Sequence, residues 1–357
     1  MDVPYLPNGY IDIERIRSMT RKTPFVFIIG ARQGAGKTYG ITKSIIEHEE
    51  KPVIIRRTKN ERKNFANDKV TPLQRITKGI VGVNTNTITI LYHEDAAGEN
   101  NLGDIFGYVL DLDSSSKRGF AIPEFDAVFY DECVPEKYAG GKADNTQADT
   151  FYNLLITLFS EDPKFMDVSH HPKVWIVGNA NALEAGIFRR FGITKTIEKM
   201  ILTDKRVYIS PQRALSIFLA DAPENSARRA KMPLMMAAEQ SAVTDMAMSN
   251  KFIYDPTGVK GWPLREFRAL ASFSNEYSAF TVWIHKREQK PFLYITRGAY
   301  PARYQLHNSK EAFTMLGRDT AYKSHRDFWY MVLHASSGKT VFYDSIVSKQ
   351  WFQSMKK

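Results

Sequence analysis

The apolar positions of this chain change their rhythm several times, and each change marks an element. Phe25–Ile29 is a short, wholly apolar run rich in β-branched and aromatic residues, the pattern of a strand buried on both faces. A turn with three glycines follows (Gly30, Gly34, Gly36), then Lys37-Thr38. Over Tyr39–Glu50, Ile41, Ile45 and Ile46 then share one face of a predicted helix. Pro52–Arg57 (PVIIRR), Ala127–Tyr130 and Lys173–Ala180 (KVWIVGNA) read as further short buried strands. Val81–Leu91 alternates as a hairpin does, and Tyr108–Leu112 and Arg206–Ser210 are shorter strand candidates. Ile11–Met19 is a short predicted helix, and Asp144–Ser160 is a longer one with Asp144 as its cap. Apolar strands interleaved with helical stretches predict an α/β fold with a doubly wound sheet.

Beyond residue 210 the pattern differs. Residues 211–250 are rich in Ala and Met with Pro punctuation, and read as two or three short helices, a linker or lid. From Lys251 the period is that of strands: Phe267–Phe273, Ala279–Lys286 and Pro291–Thr296, with helices expected near Ser324–Leu333 and over Tyr343–Lys357. The expected organisation is residues 1–210, a helical linker over 211–250, and a smaller α+β domain over 251–357. In that last part aromatic and basic residues interleave (Trp283, Lys286, Arg287, Tyr294, Arg297). That suits nucleic-acid stacking and an amphipathic sheet almost equally well.

Composition narrows the classes. At 357 residues two domains are expected. No apolar run approaches the roughly 20 residues that span a bilayer, and MDVPYLPNGYIDIE lacks the basic-then-apolar pattern of a secretory leader. The single cysteine, Cys133, excludes an internal disulfide and suits a reducing compartment. The net charge of +10 favours a polyanionic partner.

Strand, glycine-rich turn, Lys-Thr and helix form the context of a phosphate-binding loop. Glycines let backbone amides curl around a polyphosphate, the helix N-terminus adds positive potential, Lys37 reaches the β/γ-phosphates and the Thr38 hydroxyl ligates Mg²⁺. The spacing departs from GxxxxGK[ST]. Ala31 stands where the first glycine belongs and Gly30 is one residue early, so either the loop is longer or alanine is tolerated. The bland alternative is a turn that binds nothing. Phe125–Glu132 (FDAVFYDE) is an apolar strand ending in two acids, the Walker B pattern: Asp131 would hold the Mg²⁺ shell and Glu132 would polarise an attacking water. Its alternative is an acidic strand end at the surface. Asn179 is either a sensor of the γ-phosphate or a turn residue. The cluster Arg56, Arg57, Lys59, Arg62, Lys63 is either a solvated helix start or a contact to phosphate, in cis or in trans. His170-His171 read as loop histidines, and Arg189-Arg190 as a solvated pair or a contact to a neighbour's phosphate. A second match, Gly338-Lys339-Thr340, lacks the glycine-rich loop and reads as a turn.

FVFIIGARQGAGKT, IIRRTKNE, AVFYDE and VWIVGNAN, in that order, resemble the DNA-packaging motor ATPases of small φ29-like tailed bacteriophages, with Gln33 as a one-residue insertion in the loop. The resemblance covers roughly residues 23–200 well. It implies an additional-strand, catalytic-glutamate P-loop ATPase followed by an RNase H-like domain that has lost its nuclease site. It further implies ATP and Mg²⁺ as ligands and a homo-oligomeric ring, typically a pentamer. The partners implied are double-stranded DNA and the portal of a prohead, without a membrane, so that the protein acts in the host cytoplasm. Some family members also dock on a packaging RNA. Position by position, Gly30, Arg32, Gly34, Ala35, Gly36, Lys37, Thr38 and Tyr39 fall on the nucleotide loop, Asp131 and Glu132 on the acidic pair, and Asn179 on the sensor. The segment SEDPKFMDVSHHPKV contains no arginine to act on a neighbouring subunit's nucleotide. The trans-acting candidates are therefore Arg57, Lys59, Lys164 and Lys173. Competing readings are another P-loop motor such as a helicase, a nucleic-acid-binding assembly protein with an inert loop, and an active nuclease built on Asp327 and Asp344.

Overall fold

The computed structural model describes residues 2–30, 35–67, 79–94, 102–113, 122, 124–135, 142–160, 165, 167, 171–179, 183, 185–220, 261–275, 278–285, 293–302, 304–308 and 341–356. The chain divides into two compact units, Met1–Ile253 and Tyr254–Lys357. No described helix is long and apolar enough to cross a membrane.

The first unit is built on nine strands: β1 (Phe25–Gly30), β2 (Pro52–Arg56), β3 (Ile80–Asn84), β4 (Thr89–Glu94), β5 (Leu102–Asp111), β6 (Ala127–Tyr130), β7 (Lys173–Asn179), β8 (Val207–Ser210) and β9 (Leu215–Ala220). Their order in the sheet is β3-β4-β5-β2-β6-β7-β1-β9-β8. The six central strands, β5 to β9 in that order, are parallel. The β3–β4–β5 edge and β8 are antiparallel additions. One strand, β7, separates β1 from β6. Successive side chains of a strand point to opposite faces, and both faces of β1 are covered. Val26 and Ile28 pack with Ile16 of α1 (Ile13–Met19) and with Ile41 and Ile45 of α2 (Lys37–Glu47). Phe27 meets Phe191, and Tyr130 meets Phe151 of α4 (Lys142–Ser160), on the other face. Helices on both faces explain the unbroken apolar runs of the parallel strands. Between β2 and β3, α3 (Lys59–Asn67) lies over the antiparallel edge; α5 (Gly186–Arg190) and α6 (Thr194–Leu202) lead from β7 to β8.

Two expectations need correction here. Leu215–Ala220 is not part of a helical linker: it is a fully buried strand paired along its length with β1. The Ala- and Met-rich stretch that follows it, residues 221–250, lies outside the described residues. Asp144 does not cap α4, which begins at Lys142; its Oδ2 accepts the amide of Gly186 at 2.7 Å, pinning the start of α5.

The second unit holds β10 (Phe267–Ser274), β11 (Ala279–His285), β12 (Leu293–Arg297), β13 (Tyr304–His307) and β14 (Val341–Tyr343), in the order β13-β10-β11-β12-β14. The expected meander β10–β11–β12 is antiparallel, and β13 and β14 flank it in parallel. A C-terminal helix, α7 (Ile346–Lys356), lays Trp351 flat on Phe280 at 4.6 Å. Asp344 sits in the turn before it, accepting from the Arg297 amide at 3.0 Å and the Ser348 hydroxyl at 2.6 Å. Asp327, the helix expected near Ser324–Leu333 and the second GKT all fall outside the described residues.

A fully buried ion pair holds α3 to the sheet. Arg62 is wholly inaccessible, its Nε is 2.9 Å from Asp111 Oδ2, and its Nη1 donates to Thr89 Oγ1 at 3.3 Å. Removing one partner of such a pair leaves a buried charge, whereas replacing both is far less costly. Arg62→Met is therefore expected to lower the unfolding free energy by about 3–5 kcal/mol in urea titrations, and Arg62→Met with Asp111→Leu to recover most of that loss. Equal losses in the two variants would show that packing, not charge, fixes α3.

Candidate functional site

The candidate site forms where the C-terminal ends of β1, β2, β6 and β7 meet the start of α2. Gly36 precedes α2 in the left-handed region, with φ 73°. A side chain there would be strained, and its Cβ would lie 2.9 Å from the Tyr10 ring. The N-cap of α2 is Gly36, which has no side chain to bond the helix's first amides, and a helix N-terminus favours an anion. Gly30, at the end of β1, has no room for a Cβ, which would sit 2.5 Å from the Ala220 carbonyl oxygen. Ala35 is buried and its carbonyl accepts the Ile11 amide at 3.0 Å, while Tyr39 is half exposed. Arg32 and Gly34 lie outside the described residues.

Lys37 is 9% exposed, and its ammonium donates to Asn179 Oδ1 at 3.3 Å. Asn179 ends β7 directly beside Gly30. The Thr38 hydroxyl donates to the Asp131 carboxylate, 3.0 Å from Oδ1 and 3.2 Å from Oδ2. Four sequence-predicted residues from three segments are thereby brought together. Glu132 adopts φ 57°, a conformation that costs a non-glycine residue on the order of 1–3 kcal/mol. Hydrogen bonds on either side hold it there: Asp131 N to Ile55 O at 3.2 Å and Cys133 N to Val177 O at 2.8 Å. Its side chain consequently leaves the sheet and is 54% exposed.

Arg56 was legible in the sequence only as one of a basic cluster. It ends β2, the strand next to β6, and is almost fully buried. Its Nη1 lies 2.5 Å from Asp131 Oδ2 and its Nη2 3.1 Å from Glu132 Oε2, so one guanidinium bridges both acids in cis. Arg57, on the opposite pleat, donates from Nε and Nη2 to Gln147 Oε1 of α4 at 3.0 and 2.8 Å. Lys59 begins α3 with an exposed side chain. Lys173 lies apart from Arg57 and Lys59 among the trans-acting candidates. It starts β7, at the opposite end of the strands from Lys37, and its ammonium donates to the carbonyls of Thr20 (2.5 Å) and Thr23 (3.3 Å). Burial, aided by nearby Arg17, pushes its pKa down to about 8. Lys164 lies outside the described residues. Arg189 bonds Asn145, and Arg190 pairs with Asp149 at 3.3 Å and lies 4.4 Å over the Tyr152 ring, so both are engaged with α4. His171 belongs to an aromatic cluster, 4.3 Å from Phe159 and 5.4 Å from Phe25, where burial lowers its pKa.

Comparison with known proteins adds a fold-level likeness. No protein-family model and no curated protein matches the sequence. The chain resembles a solved structure of the bacteriophage Phi-29 viral genome packaging motor assembly, with TM-score 0.56, 17% identity, and coverage of 97% of this chain and 99% of that one. It also resembles the Phi-28 gp11 DNA packaging motor, with TM-score 0.50, 12% identity and coverage of 98% and 97%. The chain thus shares its α/β fold, over nearly its whole length, with phage packaging motors.

Cys133, next to the acidic pair, provides a probe of this region. It is the chain's single thiol, it is 2% exposed, and burial pushes its pKa well above the ordinary thiol value. A neutral, buried thiol does not attack disulfide reagents. Reaction with Ellman's reagent is expected to be absent in the folded protein and to appear with the urea unfolding transition. Labelling at native rates typical of free cysteine would show that the β6 end opens locally.

Proposed function

We propose that this chain is an ATP-driven motor that translocates double-stranded DNA into a viral prohead as a homo-oligomeric ring. The observation that carries the reading is the convergence of Lys37, Thr38, Asp131 and Asn179 at the ends of adjacent parallel strands, through contacts between residues 93 and 142 positions apart. Ligands of α/β sheets bind outside the carboxyl ends of the strands. The placement of β7 between β1 and β6 supports assignment to the additional-strand class of P-loop ATPases.

The residues fit a Mg²⁺–nucleotide ligand. The Thr38 hydroxyl and the Asp131 carboxylate are adjacent hard oxygen donors of the kind Mg²⁺ takes. Bound there, the ion would neutralise charge on the phosphates. Lys37 would contact the β- and γ-phosphates, the uncapped amides of α2 would face the polyphosphate, and Asn179 would report on the γ-phosphate from the next strand. Glu132, held outward by its backbone, would orient the water that attacks the γ-phosphoryl group as ADP leaves. For that, Arg56 must let go of Glu132 while the carboxylate turns toward water. Lys59 is the exposed candidate to complete a neighbouring subunit's site; Arg57 and Lys173 are engaged within the chain.

The fold shared with the Phi-29 and Phi-28 packaging motors supports the packaging role, and with it action on the prohead in the host cytoplasm, through a portal and, in some relatives, a packaging RNA. Strands β10 to β14 carry no Asp or Glu, which agrees with an RNase H-like domain that docks rather than cuts. Packaging must ignore sequence, so DNA contacts are expected to go to phosphates.

Steady-state hydrolysis tests the chemistry. Purified protein is expected to hydrolyse ATP faster with linear duplex DNA, and Lys37→Ala and Glu132→Gln to cut turnover by roughly 10²–10³-fold, the usual loss when one transition-state contact is removed. Undiminished turnover in Glu132→Gln would overturn the assignment and favour an inert loop. A second expectation is a steep fall of DNA affinity with salt, and a flat response would count against a phosphate grip.

A further inference from the structure

We propose that the end of the sheet opposite the nucleotide site is a basic shelf that holds the phosphate backbone of the DNA duplex, formed by Arg21, Lys22, Lys195, Lys199 and Arg213. This deepens the motor reading and rests on it. Residues 186–213 carry seven Lys or Arg against two Asp or Glu, so fewer than one residue in ten holds half of the net charge of +10. Of the two acids, Glu198 is buried on the inner side of α6 and Asp204 pairs with Arg206 at 2.9 Å. Lys195 and Lys199 are exposed and one helical turn apart on α6.

Three segments meet here through contacts that fix them. The Phe25 amide donates to the Ala214 carbonyl at 3.1 Å, which sets the Arg21-Lys22 turn before β1 beside the turn before β9. The Arg213 guanidinium donates to the carbonyls of Phe191 (2.9 Å) and Gly192 (3.4 Å), at the turn that opens α6. Phe191 packs against Phe25 and Phe27 beneath. All five cations are exposed, and none forms an ion pair with a described carboxylate. Elsewhere cations are spent within the fold: Arg17 on Glu50, Lys51 on Glu124, Arg62 on Asp111.

A phosphate backbone fits this surface better than a protein does. Protein interfaces carry an apolar centre, and the described part of the shelf exposes no large apolar side chain before Leu202 at the far end of α6. Phosphates need only mobile cations and a fixed fork, which four long side chains and Arg213 provide. Strand β1 joins the two functions. It starts three residues after Lys22 and ends in Gly30 at the nucleotide loop, six residues or about 20 Å away. A buried parallel strand is a stiff strut, so movement at the loop displaces the shelf directly.

The test is fluorescence anisotropy of a short blunt duplex DNA on the full chain, without nucleotide hydrolysis, over a range of salt concentrations. For the variant Arg21→Gln/Lys22→Gln/Lys195→Gln/Lys199→Gln, the slope of log K against log salt is expected to become shallower by about 3–4, near 0.9 per lost contact, with at least a tenfold loss of affinity. Arg15→Gln/Lys43→Gln, which removes exposed cations from α1 and α2, is expected to leave both values unchanged, and circular dichroism checks that each variant is folded. An unaltered slope in the fourfold variant overturns the shelf. So does a duplex RNA that binds more tightly than DNA and is lost in the same variant. Normal DNA binding with no ATP turnover in the wild-type chain would sink the motor reading and leave the shelf standing.

Discussion

A carboxylate that is 3% exposed needs charge and hydrogen bonds close at hand, and Asp131 is the residue around which the first unit is arranged. Withdrawing it from water costs several kcal/mol, offset only if its partners arrive with good geometry. Thr38 comes from the start of α2 and Arg56 from the end of β2. Those two donors can meet Asp131 only if β2 and β6 finish, and the helix after β1 begins, at one level. The parallel registers deliver that level: Ile55 lies beside Tyr130, and Gly30 beside Asn179. Lys37 then reaches Asn179 without a search. Polar convergence and sheet register are one constraint seen from two sides.

Glu132 follows from the same arrangement. Its backbone is held in the left-handed region between two amides that bond opposite neighbours, Asp131 N to Ile55 O of β2 and Cys133 N to Val177 O of β7. The strain points a carboxylate out of the sheet, where water is. The Arg56 guanidinium touches both this outward acid and the buried one, so one side chain ties the end of β2 to both.

Much of this was legible in the sequence, for physical reasons. Strands buried on both faces are uninterrupted apolar runs, so β1, β2, β6 and β7 could be read from composition alone. Asp131 and Asn179 could be singled out because each sits where such a run ends, and Lys37 and Thr38 because they follow a glycine-rich turn and open a helix. Arg56 could not be told from Arg57. Adjacent residues of a strand face opposite ways, and which face meets the acids depends on β2 being the neighbour of β6, a fact of topology. Lys173 was a candidate on grounds of charge. Its place at the start rather than the end of β7 puts it among carbonyls. Strand β9 was hidden because Ser216 interrupts the apolar run of LSIFLA and the residues that follow are rich in helix formers. In the second unit β10, β11 and β12 were legible as strands, but β13 (YQLH) and β14 (VFY) were not: each is too short to show a strand period, and Tyr343 was expected to open the last helix.

The position of β1 has a consequence for how the molecule comes into being. It is made early, yet Phe25 lies between Val174 and Leu215, both synthesised much later. Until those segments leave the ribosome, the most apolar strand of the unit has two open hydrogen-bonding edges, the kind of surface that recruits foreign strands. Closing such long loops is slow. The first unit therefore cannot enclose its central strand until the residues up to Ala220 have been made. A truncation that removes β9 would expose that strand in the finished protein as well.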